Sequence, residues 1–193
     1  MIPGLRYFKN FITEDEEKYI LDYIDGNPWT GRGMGANPQM KRLTQHYGYT
    51  FSYQNRCVDN NSKALEIPKF CDTMFPRMKE YGLPLSSEPF NMVIVNEYLP
   101  GQGIMPHVDA PIFGKCIASL SLLSPCVMKF ERVDKLDDFR IMLEPRSLIV
   151  MQGDARYIYK HSISKNLQEN FNGETIERKR RISLTFRSLK SSE

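Results

Sequence analysis

The sequence predicts an α+β protein, with helices in its first ninety residues and an antiparallel sandwich or barrel of short strands after them. Three observations lead there. Apolar residues recur at helical spacing in two early segments. An aromatic stretch then alternates with period two. Past Pro89 the chain turns into seven short apolar runs, most of them separated by Gly, Pro or charged turns. The chain has 193 residues, one domain's worth, of which 41% are hydrophobic and 25% charged. That is ordinary for a globular protein and argues against a disordered, collagen-like or membrane-spanning chain.

The elements follow in order. Thr13-Glu14-Asp15-Glu16 is a capping box, with Tyr19, Ile20, Tyr23 and Ile24 behind it at helical spacing. This predicts a helix over 13–25, with acidic residues in the first turn to suit its dipole, ended by Gly26-Asn27-Pro28. Trp29 to Arg42 is rich in Gly, Pro and Asn and reads as a loop. Tyr47, Tyr49, Phe51 and Tyr53 alternate with His46, Gly48, Thr50 and Ser52, which predicts a strand. Its aromatic side chains either pack a core face or form a stacking surface for bases. His46 is either packed or in contact with a substrate. Pro68 to about Tyr81 predicts a second helix with Phe70, Met74, Phe75 and Met78 on one face. The strand runs are Met92–Tyr98, Ile117–Leu123, Val127–Phe130, Arg140–Leu143, Ser147–Met151, Tyr157–His161 and Arg181–Arg187. Residues 165–180 are polar and read as a mobile loop.

Net charge is only +3, but it is unevenly spread. Arg32 to Arg56 holds Arg32, Lys41, Arg42 and Arg56 and no acid, and Arg178-Lys179-Arg180-Arg181 is a second basic run. Such clusters suit a polyanion-facing surface, or simply solvate loops. Cys57, Cys71, Cys116 and Cys126 form no C-x-x-C pair, and the N-terminus lacks an apolar signal region. Reduced thiols in a cytoplasmic or nuclear monomer are expected. No run approaches the ~18 apolar residues of a membrane helix, so no membrane partner is expected.

Only three histidines are present, His46, His107 and His161, so the search for a metal site is short. His107-Val108-Asp109 puts two potential ligands on one side of an extended segment. With His161 at the end of a later strand, they make a set of two imidazoles and one carboxylate, the facial triad of non-haem Fe(II) with positions left open. The alternative is a surface pair plus a core histidine. Arg181-Ile182-Ser183-Leu184-Thr185-Phe186-Arg187 places two arginines on one strand face. Facing inward they would be costly unless carboxylates pair with them, and a dicarboxylate co-substrate meets that need. Facing outward they would mark an exposed edge strand.

This ordered combination resembles the AlkB family of Fe(II)- and 2-oxoglutarate-dependent dioxygenases. The resemblance extends to Asn96-Glu97-Tyr98-x-Pro-Gly, Ser119-Leu120-Ser121-Leu122, Arg146-Ser147-Leu148 and the Tyr157–His161 run, strongly over 90–188 and loosely before. It implies one domain over 1–193, with N-terminal helices and a nucleotide-recognition lid in 1–90 and a double-stranded β-helix (jelly-roll) catalytic core in 91–188. It implies that His107, Asp109 and His161 bind Fe(II). It implies that Arg181 pairs with the distal carboxylate of 2-oxoglutarate, that Arg187 lies near the metal-bound one, and that Asn96, Tyr98, Ser119 and Ser183 line the same pocket. Ser183 stands where the founding bacterial member has Asn, and Ala110-Pro111 follows the metal Asp109 where that member has an acidic residue. With dioxygen as co-substrate, the activity implied is hydroxylation or oxidative demethylation of a modified nucleic-acid base. Lys41-Arg42-x-x-Gln45-His46-Tyr47-Gly48-Tyr49 resembles the lid of the branch that hydroxylates wobble uridine in transfer RNA. It makes RNA the favoured partner over DNA and Lys41, Arg42, Tyr47 and Tyr49 the candidate substrate contacts. A protein hydroxylase or demethylase on the same fold, or an inactive RNA-binding module, are the other readings.

Overall fold

The computed structural model describes residues 2–31, 42–52, 57–58, 64–134 and 138–189. Among these the chain forms β1 (Leu5–Phe8), α1 (Glu14–Asp25), β2 (Leu43–Tyr47), β3 (Phe51–Ser52), β4 (Cys57–Val58) and α2 (Cys71–Glu80). There follow β5 (Met92–Tyr98), β6 (Ile104–His107), β7 (Phe113–Leu123), β8 (Cys126–Arg132), β9 (Asp138–Leu143) and β10 (Leu148–Met151). The last elements are α3 (Gly153–Tyr157), β11 (Tyr159–Ile163), β12 (Gln168–Phe171), β13 (Glu174–Glu177) and β14 (Arg181–Leu189). Two antiparallel sheets dominate. The larger has the order β1-β10-β7-β14-β5-β2 and the smaller β6-β11-β8-β9. They face each other as the two walls of a double-stranded β-helix. No helix among the described residues is long and apolar enough to cross a membrane.

The larger sheet is buried on both faces, and its sequence says why. On β14, Ile182, Leu184 and Phe186 join a core with Ile20 and Ile24 of α1 and Met74 and Met78 of α2. The other face of the same sheet turns Ile94, Tyr98, Ile117 and Ile149 toward Met128, Phe130 and Ile163 of the smaller sheet. Period-two alternation thus feeds two cores from one set of strands. The helices are fixed by local chemistry. Thr13 Oγ1 accepts the Glu16 N–H at 3.2 Å and Glu16 returns the favour to the Thr13 N–H at 2.8 Å. Glu16 also takes two hydrogen bonds from Arg77, at 2.9 and 2.5 Å, which ties α1 to α2.

Four features differ from the sequence expectation. The aromatic stretch is not one strand. β2 ends at Tyr47, because Gly48 has φ +80° and a Cβ there would meet the Asn91 carbonyl at 2.1 Å; the left-handed turn is open only to glycine. The run at 157–161 is split, α3 ending at Tyr157 and β11 starting at Tyr159. The polar stretch 165–180 contains a β12–β13 hairpin whose turn residues Asn172 and Gly173 have φ 51° and 86°. Asn-Gly with both φ positive suits a two-residue hairpin turn. Finally, the first half adds an unpredicted strand, β1, and contributes to the larger sheet. β1 and β2 are the two edge strands of the larger sheet.

Candidate metal and co-substrate site

The site is built where the two sheets meet. β11 pairs with β6 so that His161 sits opposite His107, their ring centroids 4.3 Å apart. Asp109 lies just past the end of β6. One ligand atom from each of His107, Asp109 and His161 lies within 4.8 Å of the other two. The His107 Nδ1 is 2.7 Å from the Met105 carbonyl. Donation there leaves Nε2 unprotonated and available to a metal, the usual way a ligating imidazole is oriented. Asp109 and His161 are buried, while His107 stands nearer the opening.

Charge around Asp109 is arranged to keep it ionised. Burial pushes its carboxyl up, but the Arg187 guanidinium beside it more than offsets this and holds it well below the usual carboxylate range. Arg187 Nη2 reaches both Asp109 oxygens at 3.1 Å and its Nε reaches one at 3.3 Å.

The floor of a cavity of about 450 Å³ is the inner face of β5, β14 and β7. Register sets its rows. Asn96, Ser183 and Ser121 lie side by side, then Ile94, Thr185 and Ser119, with Arg181 beside Tyr98 at one end and Arg187 beside Met92 at the other. Six residues along a strand put the two arginine Cα atoms roughly 20 Å apart. Arg181 is 1% exposed, donates from Nη2 to Ser121 Oγ at 2.8 Å and sits over the Tyr98 ring. Its Nε and Nη1, and the Nη1 of Arg187, have no hydrogen-bond partner among the described residues. A buried guanidinium with donors unmet costs several kcal/mol unless an anion arrives. This donor set fits a carboxylate co-substrate beside a two-imidazole, one-carboxylate metal site.

Of the residues singled out from sequence, His107, Asp109, His161, Asn96, Tyr98, Ser119, Arg181, Ser183 and Arg187 all line this cavity. Arg187, expected near the metal-bound carboxylate of the co-substrate, directs its fork to Asp109 and keeps Nη1 spare. Arg42 lines the cavity too, bonding Asn96 Oδ1 at 2.9 Å. Lys41 lies outside the described residues. Tyr47 is not brought to the cavity. It is fully buried on the helix side of β2, its hydroxyl on Gln45 Oε1 at 2.7 Å. Tyr49 is exposed in the turn after Gly48 and does not line the cavity. The basic run at 178–181 is largely engaged within the protein, with Lys179 alone of the four exposed. Arg178 is buried against Glu169, Arg180 pairs with Asp25 and Glu97, and Arg181 points inward. Phe51, read from sequence as part of the aromatic stretch, is in the cavity wall, where its ring meets Phe113 at 5.1 Å; sequence reasoning missed Phe113 and Ser121. Ser121 was legible in principle, since it shares a strand face with Ser119.

His46 is a packed histidine on the edge strand. Its Nδ1 accepts the Phe51 N–H at 3.1 Å, and burial, with some help from the charge of Arg187, pushes it down to about 4. Burial likewise pushes His161 down to about 3 against the pull of Asp109. Both stay neutral in the folded protein at pH values where an unfolded histidine, pKa about 6.5, already binds a proton. The unfolded state therefore gains protons first as pH falls. The metal-free protein is expected to lose stability steadily from pH about 6.5 to about 4, with His46 alone contributing on the order of 2 kcal/mol. Thermal melts across that range check it, and a flat profile would count against it.

Comparison with known proteins agrees with this geometry. A profile of the 2OG-Fe(II) oxygenase superfamily matches residues 4–187. The "Alkylated DNA repair protein ALKBH8 homolog" of Arabidopsis thaliana is 32% identical over 212 residues, covering 98% of this chain and 59% of that protein. The "tRNA (carboxymethyluridine(34)-5-O)-methyltransferase alkbh8" of Xenopus tropicalis is 32% identical over 209 residues, covering 98% of this chain and 32% of that protein. The chain thus spans only part of the length of these relatives. Among solved structures, OsALKBH1 superposes with a TM-score of 0.72 at 16% identity, over 97% of this chain and 99% of that one.

Proposed function

As the chain belongs to the 2OG-Fe(II) oxygenase superfamily, with AlkB homologues among its relatives, we propose that it hydroxylates or oxidatively demethylates a modified nucleic-acid base, in RNA rather than DNA. One observation supports the enzymatic part above all others. A buried, ionised Asp109 and the imidazoles of His107 and His161 stand at the edge of a cavity where Arg181 keeps two buried donors free. The preference for RNA rests on the frog relative, whose name specifies a tRNA uridine, and on Arg42 at the cavity wall.

His107, Asp109 and His161 would hold the Fe(II). That ion, with 2-oxoglutarate and dioxygen, supplies the oxidising power to turn a substrate C–H into C–OH while the co-substrate becomes succinate and carbon dioxide. The remaining work belongs to the chain. Arg181 binds the distal carboxylate with its spare Nε and Nη1. Asn96, Ser183 and Ser119 present polar groups along the same floor, and Arg42 holds Asn96 from the side. Arg187 keeps Asp109 ionised and aimed. Phe51, Phe113 and Ile163 exclude water from the reacting end. Where the oxidised carbon is bonded to nitrogen, the hydroxylated product collapses to the amine and formaldehyde.

The test is succinate release by the full chain with Fe(II) and 2-oxoglutarate, in the presence of RNA, DNA or peptide. Turnover stimulated by RNA and abolished by His107→Ala is expected. Stimulation by peptide alone moves the reading to a protein hydroxylase. No turnover and no metal binding by the unaltered chain overturns the enzymatic reading.

A further inference from the structure

The ligand-bearing segment has a peculiarity. His107 is the last residue of β6 and is held by pairing with β11. Asp109 lies beyond that pairing, in a stretch without regular structure that runs to Phe113. Nothing in the sheet fixes its backbone. Arg156 does. Its side chain comes from α3, the short helix immediately before β11, and is 2% exposed. Nη1 donates to the Asp109 carbonyl at 2.9 Å and Nη2 to the Ala110 carbonyl at 2.8 Å. Longer contacts, both 3.4 Å, reach Phe113 and Gly114. No carboxylate is among these partners. What offsets the buried guanidinium is the carbonyl dipoles of the turn that follows the metal motif, the Tyr157 ring 4.8 Å away and the nearby charge of Asp109.

We infer that Arg156 is a positioning residue for the metal site, fixing the main chain of Asp109 relative to the strand that carries His161. The division of labour is clear. Arg187 orients the Asp109 carboxylate and Arg156 orients its backbone. Arg156 and His161 are only five positions apart, and α3 leads into β11 through a single residue, so one side chain sets the spacing between two candidate ligands that are 52 residues apart in sequence. Burying an arginine for structure alone is poorly rewarded, since an apolar residue of similar size is often as stable. Converging on four carbonyls of a ligand loop is a better reason, because outer partners of metal ligands change affinity about 10–100-fold.

This inference rests on the metal-site reading above, and its test separates the two. Mn(II) binding to the full chain is measured by calorimetry, with the apo-protein's melting temperature recorded alongside. If the unaltered chain binds no Mn(II), the metal-site reading fails. If it binds, Arg156→Met is expected to weaken Mn(II) by about 10–100-fold in protein that is folded at the assay temperature. Arg156→Lys, with three donors at one point instead of a spread fork, is expected to fall between the two. A purely structural arginine would lower the melting temperature and leave the Mn(II) constant of the folded protein unchanged, and that result in either variant overturns the inference. So does failure of both variants to fold, which would make Arg156 a strut.

Discussion

Arg181→Met is expected to raise the 2-oxoglutarate concentration for half-maximal turnover by about 30-fold to 1,000-fold or more. Truncating one partner of a buried charge pair costs about 2–5 kcal/mol, and each 1.4 kcal/mol is tenfold in affinity. The same substitution should leave the ligand-free protein as stable as before, or more so. In that state Arg181 is almost completely buried with only Ser121 and the Tyr98 ring to satisfy it, and a methionine removes that uncompensated charge. The two effects therefore run in opposite directions, which a merely structural arginine would not produce. Arg181→Lys keeps the charge and loses the fork, so it should sit between. An unchanged 2-oxoglutarate requirement in Arg181→Met would sink the assignment.

Arg187→Met should act the other way, on the empty protein first. It leaves the Asp109 carboxylate buried without its main partner, a loss of about 3–5 kcal/mol, or roughly 6–20 °C in melting temperature for a domain of this size. Sign matters here. In the unaltered protein the Asp109 carboxyl is held below its ordinary value, so its stabilising contribution is complete above pH about 4 and is lost only as pH falls through its lowered folded value. Without Arg187, burial dominates and the carboxyl titrates higher than normal, so ionising it opposes folding. The gap between the two proteins should be wide at pH 8 and shrink toward pH 4.5. Equal melting temperatures at pH 8 would show that Arg187 does not hold Asp109. Metal binding by the variant should also require a higher pH, since the carboxylate must first ionise.

Much of this site was readable from the chain. H-x-D puts two candidate ligands together because alternate residues share a face of an extended segment, and Arg181 and Arg187 share a face for the same reason. Three histidines left almost no other triad. The α1 cap was legible because a capping box is purely local. What escaped was set by tertiary context. Nothing in Arg178-Lys179-Arg180-Arg181 distinguishes a residue buried against Glu169 from one pointing into the cavity. Arg156 looks like any surface arginine until the carbonyls of the Asp109 turn are seen around it. β6, which carries a ligand, is four residues long and contains a proline, too little pattern to read. Tyr47 alternates correctly with its neighbours, yet alternation cannot say which face is the cavity. The Asn172-Gly173 hairpin turn was a local signal that the polar composition around it concealed.

The position of β14 has a consequence for how the protein is made. This strand, the last among the described residues, lies between β7 and β5 in the middle of the larger sheet. A ribosome releases all three candidate metal ligands before it releases residues 181–189. Until then β5 and β7 each present an open edge to the cell, the condition in which strands capture the wrong partner. The sheet closes only when its final segment is threaded between strands formed some sixty to ninety residues earlier, a slow, non-local step. Because Arg181 and Arg187 arrive on that same segment, folding and the completion of the site are one event. A chain stopped at residue 180 would lack both arginines and would be left with two sticky edges, making it prone to aggregate rather than merely inactive.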